Sequence, residues 1–226
     1  MIAIPADTQG ISFGPHYETP SYSLLPMSEM YIDDVRVSED NITLPVSQGL
    51  QGSLIAIDIA RGSIASGCCG LMQAALDTAL SYSKNRKMFG GKNLDLDGTQ
   101  WMLGEVATDL EVSRLLYRKA AEARGTPEGP LMAAHAKPFV PDAAVKATNI
   151  CTQILGGMGL LQPYGLDHLS RLAQMLRIVD GNTEISRVVI GRALQKRAAQ
   201  RPDLFVPKGF EEADSVPIQN AVPKFA

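Results

Sequence analysis

The spacing of apolar residues changes near residue 48. Before it, hydrophobic residues come in short runs. Met1 to Ala6 is one, closed by Asp7-Thr8-Gln9-Gly10. Ile11-Ser12-Phe13 alternates and is broken by Gly14-Pro15, and Met30-Tyr31-Ile32 and Val35-Arg36-Val37 flank Asp33-Asp34. This pattern predicts a few short β-strands separated by turns. So few strands bury no core of their own and must pack on something else.

From Gly49 to about Arg201 the period is helical. Leu54, Ile57, Ile64, Leu71, Ala74, Ala75 and Leu80 form one stripe, predicting a helix from Ser53 to about Lys87 that ends before Gly90-Gly91. Gly62, Gly67 and Gly70 lower its intrinsic propensity and are expected to let a neighbouring backbone approach. A second helix fits Thr99 to Arg124, with Met102, Leu103, Val106, Leu110, Leu115, Leu116 and Ala120 as its stripe and Gly125-Thr126-Pro127 as its stop. A third fits Leu131 to Leu155, where Pro138 and Pro141 imply a late start or a kink. A short helix over Gly165 to Met175 and a last one over Thr183 to Gln200 complete the set. The prolines at 202, 207, 217 and 223 predict an extended or disordered tail over 201–226. Long helices with short joints predict an up-down bundle. The expected domains are a β segment over 1–48, a bundle over 49–200 and that tail.

Composition narrows the function classes. With 45% hydrophobic and 20% charged residues in 226, the chain is ordinary globular protein. A net charge of -3 supplies no basic field for nucleic acid. Cys68, Cys69 and Cys151 lack metal-site spacing and read as buried thiols of a reducing compartment. No uninterrupted apolar run of about 18 residues predicts a membrane span. The N-terminus lacks a secretory pattern, so a cytoplasmic location is expected. His16, His135 and His168 have no metal-like spacing with carboxylates. Gly156-Gly157-Met158-Gly159 follows a predicted helix, not a strand, which excludes a dinucleotide-binding fingerprint.

Several segments, taken in order, resemble the C-terminal half of the acyl-CoA dehydrogenase family. Ala60-Arg61, Gly70 to Ala79, Tyr82 and Arg86-Lys87-Met88-Phe89-Gly90 resemble a helix ending in an R-x-x-F-G turn. Leu103 to Glu111 is similar to an L-A-x-M-x-x-x-x-E helix, and Gln153-Ile154-Leu155-Gly156-Gly157-Met158-Gly159 to Q-I-L-G-G-x-G. Val179-Asp180-Gly181-Asn182-Thr183-Glu184-Ile185-Ser186-Arg187 resembles Y-E-G-T-x-E-I-Q-R. Upstream, Gly10 to Phe13 and Tyr31 to Val37 resemble the last strands of the family's middle β domain.

The resemblance implies a mainly α fold: an up-down four-helix bundle preceded by a few short antiparallel strands from the end of that β domain. The family's N-terminal helical domain has no counterpart in these segments, so the chain alone is expected to be inactive. The implied chemistry is FAD-dependent α,β-dehydrogenation of an acyl-CoA thioester. A carboxylate takes the α proton while the β hydrogen leaves as hydride to the flavin. The alternative is a non-catalytic bundle module, or a structural subunit whose partner chain carries the missing domains. A homodimer or homotetramer through the bundle is expected.

The family's usual base is the Glu of Y-E-G-T, where this chain has Asp180. Asp is one methylene shorter, so its oxygens fall about 1.5 Å back. Displacement of that order costs about a hundredfold in rate. Three readings of Asp180 stay open: a base for a shifted substrate, as in members that oxidise cyclic acyl-CoA thioesters; a weak base; or a helix N-cap. The position where some members carry the base on the first long helix is Ala60. The resemblance also implies that Arg61 supports the carboxylate and that Asp58 and Gly181 contact substrate. Arg86, Phe89, Gln153, Gly156, Gly157, Asn182 and Glu184 are its implied FAD contacts. Asp97 and Leu172 depart from the pattern, which commonly has Gln and Asp there.

Overall fold

The computed structural model describes residues 1–19 and 27–201. The expected tail lies outside the described residues apart from Arg201. Chain contacts divide the protein into Met1–Ile190 and Gly191–Ala226. The first unit holds the β segment, four helices and the start of a fifth. In the second, the described part is the rest of that fifth helix.

Strands β1 (Ile11–Phe13) and β2 (Met30–Ile32) pair antiparallel, with Ser12 opposite Tyr31. Two of the expected runs form no strand. Met1 to Ala6 supplies only the bridge of Ile2 to Ile42, and Val35 to Val37 is irregular. In both cases the ladder is missing: Ala3 N–H bonds the Asn41 carbonyl, but no neighbouring residues extend the pairing.

Helix α1 is Gly49–Asn85, α2 Asp97–Glu122, α3 Gly129–Leu155, α4 Leu166–Leu176 and α5 Thr183–Ala199. Between α1 and α2 a hairpin pairs β3 (Lys87–Met88) with β4 (Gly91–Lys92). Helix α1 packs on α2, α3 and α4, and α3 on α1, α2 and α4. Lys146, late in α3, bridges Glu105 and Asp109, early in α2, so these helices run antiparallel. Asn93, just beyond α1, donates to the Ile154 carbonyl at the end of α3, so α1 and α3 run parallel. The helical bundle expected from the sequence is therefore formed.

Helix α3 does not start late. Pro130 stands in its first turn, where a missing N–H costs nothing, and the helix continues through Pro138 and Pro141. Those two rings remove the usual donors to the Ala134 and Lys137 carbonyls. Packing carries the helix across the gap, since both prolines are buried among Ala134, Ala136, Val140 and Ala144.

The core is built from small residues on α1 and α3, including Ala65, Cys68, Ala75, Ala79, Ala144 and Ala147, with Met72, Leu103, Val106, Leu110 and Leu155 filling between them. Each large side chain so buried is worth about 1.5–3 kcal/mol. By length and a mean hydropathy of 1.4, α1 would suit a bilayer, yet ten of its residues, Arg61 among them, are buried in the bundle. Gly62, Gly67 and Gly70 do not serve close helix approach: a Cβ on any of them would meet nothing within 4 Å. They border open space.

Candidate functional site

The expected site residues fall into two groups, one beside the first third of α1 and one at its C-terminal end. The first centres on Arg61, which is 7% exposed. Its Nη1 donates to the Asp58 carboxylate at 2.9 Å, one helical turn earlier. Its Nε is buried without a hydrogen-bond partner.

The turn between α4 and α5 lies over this guanidinium. Asp180 (φ +54°) and Gly181 (φ +83°) are both in the left-handed region. A Cβ at Gly181 would stand 3.0 Å from Arg61 Nη2. Both the backbone angle and the close approach require glycine here. Asp180 tolerates its angle because a short polar side chain is among the least penalised there.

Asp180 is exposed and borders a cleft of about 490 Å³ between α1 and α4. Ala60, Ser63, Ile64, Gly67 and Leu71 line one wall, and Leu172 and Leu176 the other. The lining is apolar except for Ser63 and Asp180. The bare Cα of Gly67 and the methyl of Ala60 leave the α1 wall low. Arg171 pairs with Asp167 at 2.8 Å, and Leu172 lines the cleft.

The N-cap reading of Asp180 is overturned. The cap of α5 is Asn182, whose Oδ1 accepts from Ile185 N–H at 2.9 Å. Asp180 lies two residues too early for that bond. Glu184, in the first turn of α5, accepts from the Thr183 hydroxyl at 2.9 Å and pairs with Arg187 at 3.7 Å. Its own backbone N–H and the Thr183 hydroxyl hold its carboxyl below the usual range.

A larger cleft of about 710 Å³ opens where the first half of α1 meets the end of α2 and the start of α3. Asp58, Gly62, Ser63, Tyr117, Arg124 and Gly125 are among its lining residues. Ser63 borders both clefts. Arg124 is exposed and has no ion-pair partner among the described residues. It was not among the residues expected from sequence, where it read only as the end of α2.

The second group is at the far end of α1. Arg86 caps α1, its N–H bonding the Tyr82 carbonyl at 2.9 Å. With Asp77, Thr78, Ser81, Asn85, Met158 and Tyr164, it borders a cleft of about 690 Å³. Tyr164 stacks edge-on against Tyr82 at 6.0 Å, tying the Gln162–Tyr164 turn to α1. Phe89 and Gly90 form the two-residue turn of the β3–β4 hairpin at φ +50° and +82°. The Phe89 ring is 86% exposed. Gly156 (φ +60°) caps α3, and its N–H bonds the Gln153 carbonyl. A Cβ on Gly156 or Gly157 would meet nothing within 4 Å. Arg86 and the hydroxyls of Thr78, Ser81 and Tyr164 border the cleft, and Phe89 and the bare Gly156–Gly157 backbone are exposed at the same end of α1 and α3; a guanidinium, hydroxyls and an aromatic face are groups that suit a nucleoside diphosphate.

Arg61 and Arg86 are separated along α1 by about 37 Å, at about 1.5 Å of rise per residue. One extended dinucleotide does not span that distance. The two groups are therefore not two ends of one site in one chain.

A third set of residues, also missed in the sequence, holds the Asp180 turn from behind. Lys137 on α3 is fully buried, and its Nζ donates to the Leu176 carbonyl, the last of α4, at 2.5 Å. Burial pushes its pKa below the ordinary lysine value, against the opposing pull of Cys68 and Asp180. Asp142, one turn and a half further along α3, accepts from Arg177 Nε at 2.6 Å and Arg187 Nη2 at 2.9 Å. The available signal was a lysine set in the apolar stripe of Ala133, Ala134, Val140, Pro141 and Ala144.

A family model described as acyl-CoA dehydrogenase, C-terminal domain, matches residues 47–195. A cyclohex-1-ene-1-carbonyl-CoA dehydrogenase of Syntrophus aciditrophicus is 32% identical over 83% of this chain and 46% of its own length. A cyclohexane-1-carbonyl-CoA dehydrogenase of Geobacter metallireducens is 30% identical over 87% of this chain and 52% of its own. The structure of butyryl-CoA dehydrogenase from Megasphaera elsdenii superposes with a TM-score of 0.82 at 27% identity, over 86% of this chain and 51% of that one. The chain thus spans about half the length of the relatives it matches.

Proposed function

The chain belongs to the acyl-CoA dehydrogenase family through its C-terminal domain, and from that membership we propose that it serves FAD-dependent α,β-dehydrogenation of an acyl-CoA thioester, with Asp180 as the base. Members of the family are FAD flavoproteins. The observation that carries the reading is the Asp180–Gly181 turn lying on the buried Arg61 at the mouth of an apolar cleft.

The flavin, when bound, supplies the hydride acceptor. The chain's own residues do the rest. Asp180 takes the α proton of the thioester. Ile64, Leu71, Leu172 and Leu176 give the reacting end of the ligand an apolar surround. Arg61 holds the turn from below and keeps Nε free for a hydrogen bond. Gly181 permits the contact.

Asp58 and Arg124 bordering a second cleft that meets the first at Ser63 support a long ligand laid along α1. The thioester end would meet Asp180, and the anionic CoA tail would run toward Arg124. Two relatives whose names carry cyclic acyl-CoA substrates favour a cyclic acyl group, in keeping with an Asp in place of Glu.

Arg86, Phe89, Gln153, Gly156 and Gly157 are the proposed contacts to FAD, with Asn182 and Glu184 beside the flavin end. The 37 Å or so between the groups supports sites composed across subunits. We therefore assign a homodimer or homotetramer, built through exposed apolar residues such as Phe89, Trp101 and Leu115. The three free, buried cysteines are in keeping with a cytoplasmic location.

Incubation with FAD, desalting and a visible spectrum test the cofactor half-site. Retained flavin that Arg86→Ala and Phe89→Ala each reduce supports the reading. Flavin retained equally by all three proteins would remove these residues from it.

A further inference from the structure

We infer that Lys137 and Asp142 of α3 form a two-point clamp that positions the Asp180 turn, making both of them positioning residues for the proposed base. The geometry is local and complete. The Lys137 ammonium, fully buried, donates to the Leu176 carbonyl, four residues before Asp180. The Asp142 carboxylate takes Arg177 on one oxygen and Arg187 on the other, three residues before and seven after Asp180. One helix thus grips both arms of the turn, while Arg61 supports it from α1.

Charge explains why lysine is used at a buried position. The end of a helix exposes carbonyls without donors and carries partial negative charge, and a cation there satisfies both. A neutral apolar side chain would leave the Leu176 carbonyl buried and unpaired. The cost of desolvating the ammonium is visible in its lowered pKa. A lysine retained at that cost in an alanine-rich stripe has a local role. Its only hydrogen bond among the described residues is spent on the arm of the turn.

The positional half of this inference stands without the proposed chemistry; the catalytic half rests on Asp180 as base. The experiment is amide hydrogen exchange on the ligand-free chain for Lys137→Met and Asp142→Asn. It reads Arg177, Ile178 and Val179, whose N–H groups bond the Gln174 and Met175 carbonyls. Exchange about tenfold faster in this peptide, with α1 and α2 unchanged, is the expected result. Unchanged exchange there, or a rise spread equally over α1, α2 and α3, overturns the clamp. Should Lys137→Met not fold, Asp142→Asn decides alone, since Asp142 is a third exposed.

In the flavin-loaded holoenzyme, both variants are expected to lower kcat about tenfold with KM within about twofold, because the base is misplaced while binding persists. A loss in KM alone, or no loss, overturns the catalytic half. Full activity in Asp180→Asn would instead sink the proposed base and leave the exchange result standing.

Discussion

Gly181 rests on the Arg61 guanidinium so closely that a Cβ would come to 3.0 Å from Nη2. This contact joins α1 to the α4–α5 turn that carries Asp180. Gly181→Ala is expected to cost about 1–3 kcal/mol from its φ of +83° and the displaced guanidinium. Urea unfolding measures the stability. The variant should also lose activity in the holoenzyme beyond what Arg61→Lys loses. Stability equal to the parent would remove the contact from the account.

The cap of α5 and the proposed base are separable. Asn182→Ala removes the bond to Ile185 N–H and should lower stability by about 1 kcal/mol. Asp180→Gly, which removes the side chain and keeps the left-handed angle accessible, should leave the melting temperature nearly unchanged, since no hydrogen bond to the Asp180 side chain is formed among the described residues. Thermal melts of the two variants, side by side, check this. The reverse ranking would restore Asp180 as a structural cap.

Phe89 occupies a left-handed turn position that disfavours a bulky side chain, and its ring is solvent-exposed. Asn suits such a turn. Phe89→Asn should therefore raise stability by about 0.5–1 kcal/mol while lowering FAD retention. A variant that is stabilised and keeps its flavin would make the ring irrelevant to the cofactor.

Alkaline stability follows from the thiols. Burial raises Cys68 and Cys151 from the ordinary 9.0 to about 12, and Cys69 to about 11. The unfolded chain therefore loses thiol protons first as pH rises above 9.0. The thiol contribution is fully present below that value and is lost from there toward pH 12. Urea midpoints across this window should decline, and Cys151→Ala should flatten the decline. A midpoint constant to pH 11 would mean that the thiols are accessible in the fold.

The helices were legible because most of each apolar stripe faces a core, although Leu54, Leu80 and Leu115 of the expected stripes are exposed. Leu103, Val106 and Leu110 were expected on one stripe and are buried together. The helix expected from Leu131 begins at Gly129, and the late start that Pro138 and Pro141 suggested does not occur, because packing outweighs their local preference. The glycines of α1 were misread for a related reason. Sequence shows that Gly62 and Gly67 lack bulk, but not whether a neighbour or a cleft takes the space. Within the site, Gly181 stands against Arg61, whose guanidinium pairs with Asp58. Lys137 and Asp142 stayed hidden because they act through backbone and arginines of a segment about forty residues away. Arg124 stayed hidden because only the meeting of three helices gives it a cleft.

The most direct measurement is flavin bleaching under anaerobic conditions, on adding cyclohexanecarbonyl-CoA, in the flavin-loaded assembly of this chain with the domains that its longer relatives carry, with Asp180→Asn as the comparison. The parent should bleach. Asp180→Asn, which keeps the shape and removes the base, should bleach at least about a hundredfold more slowly while still binding the thioester. Equal bleaching by the two proteins would contradict Asp180 as the proton acceptor.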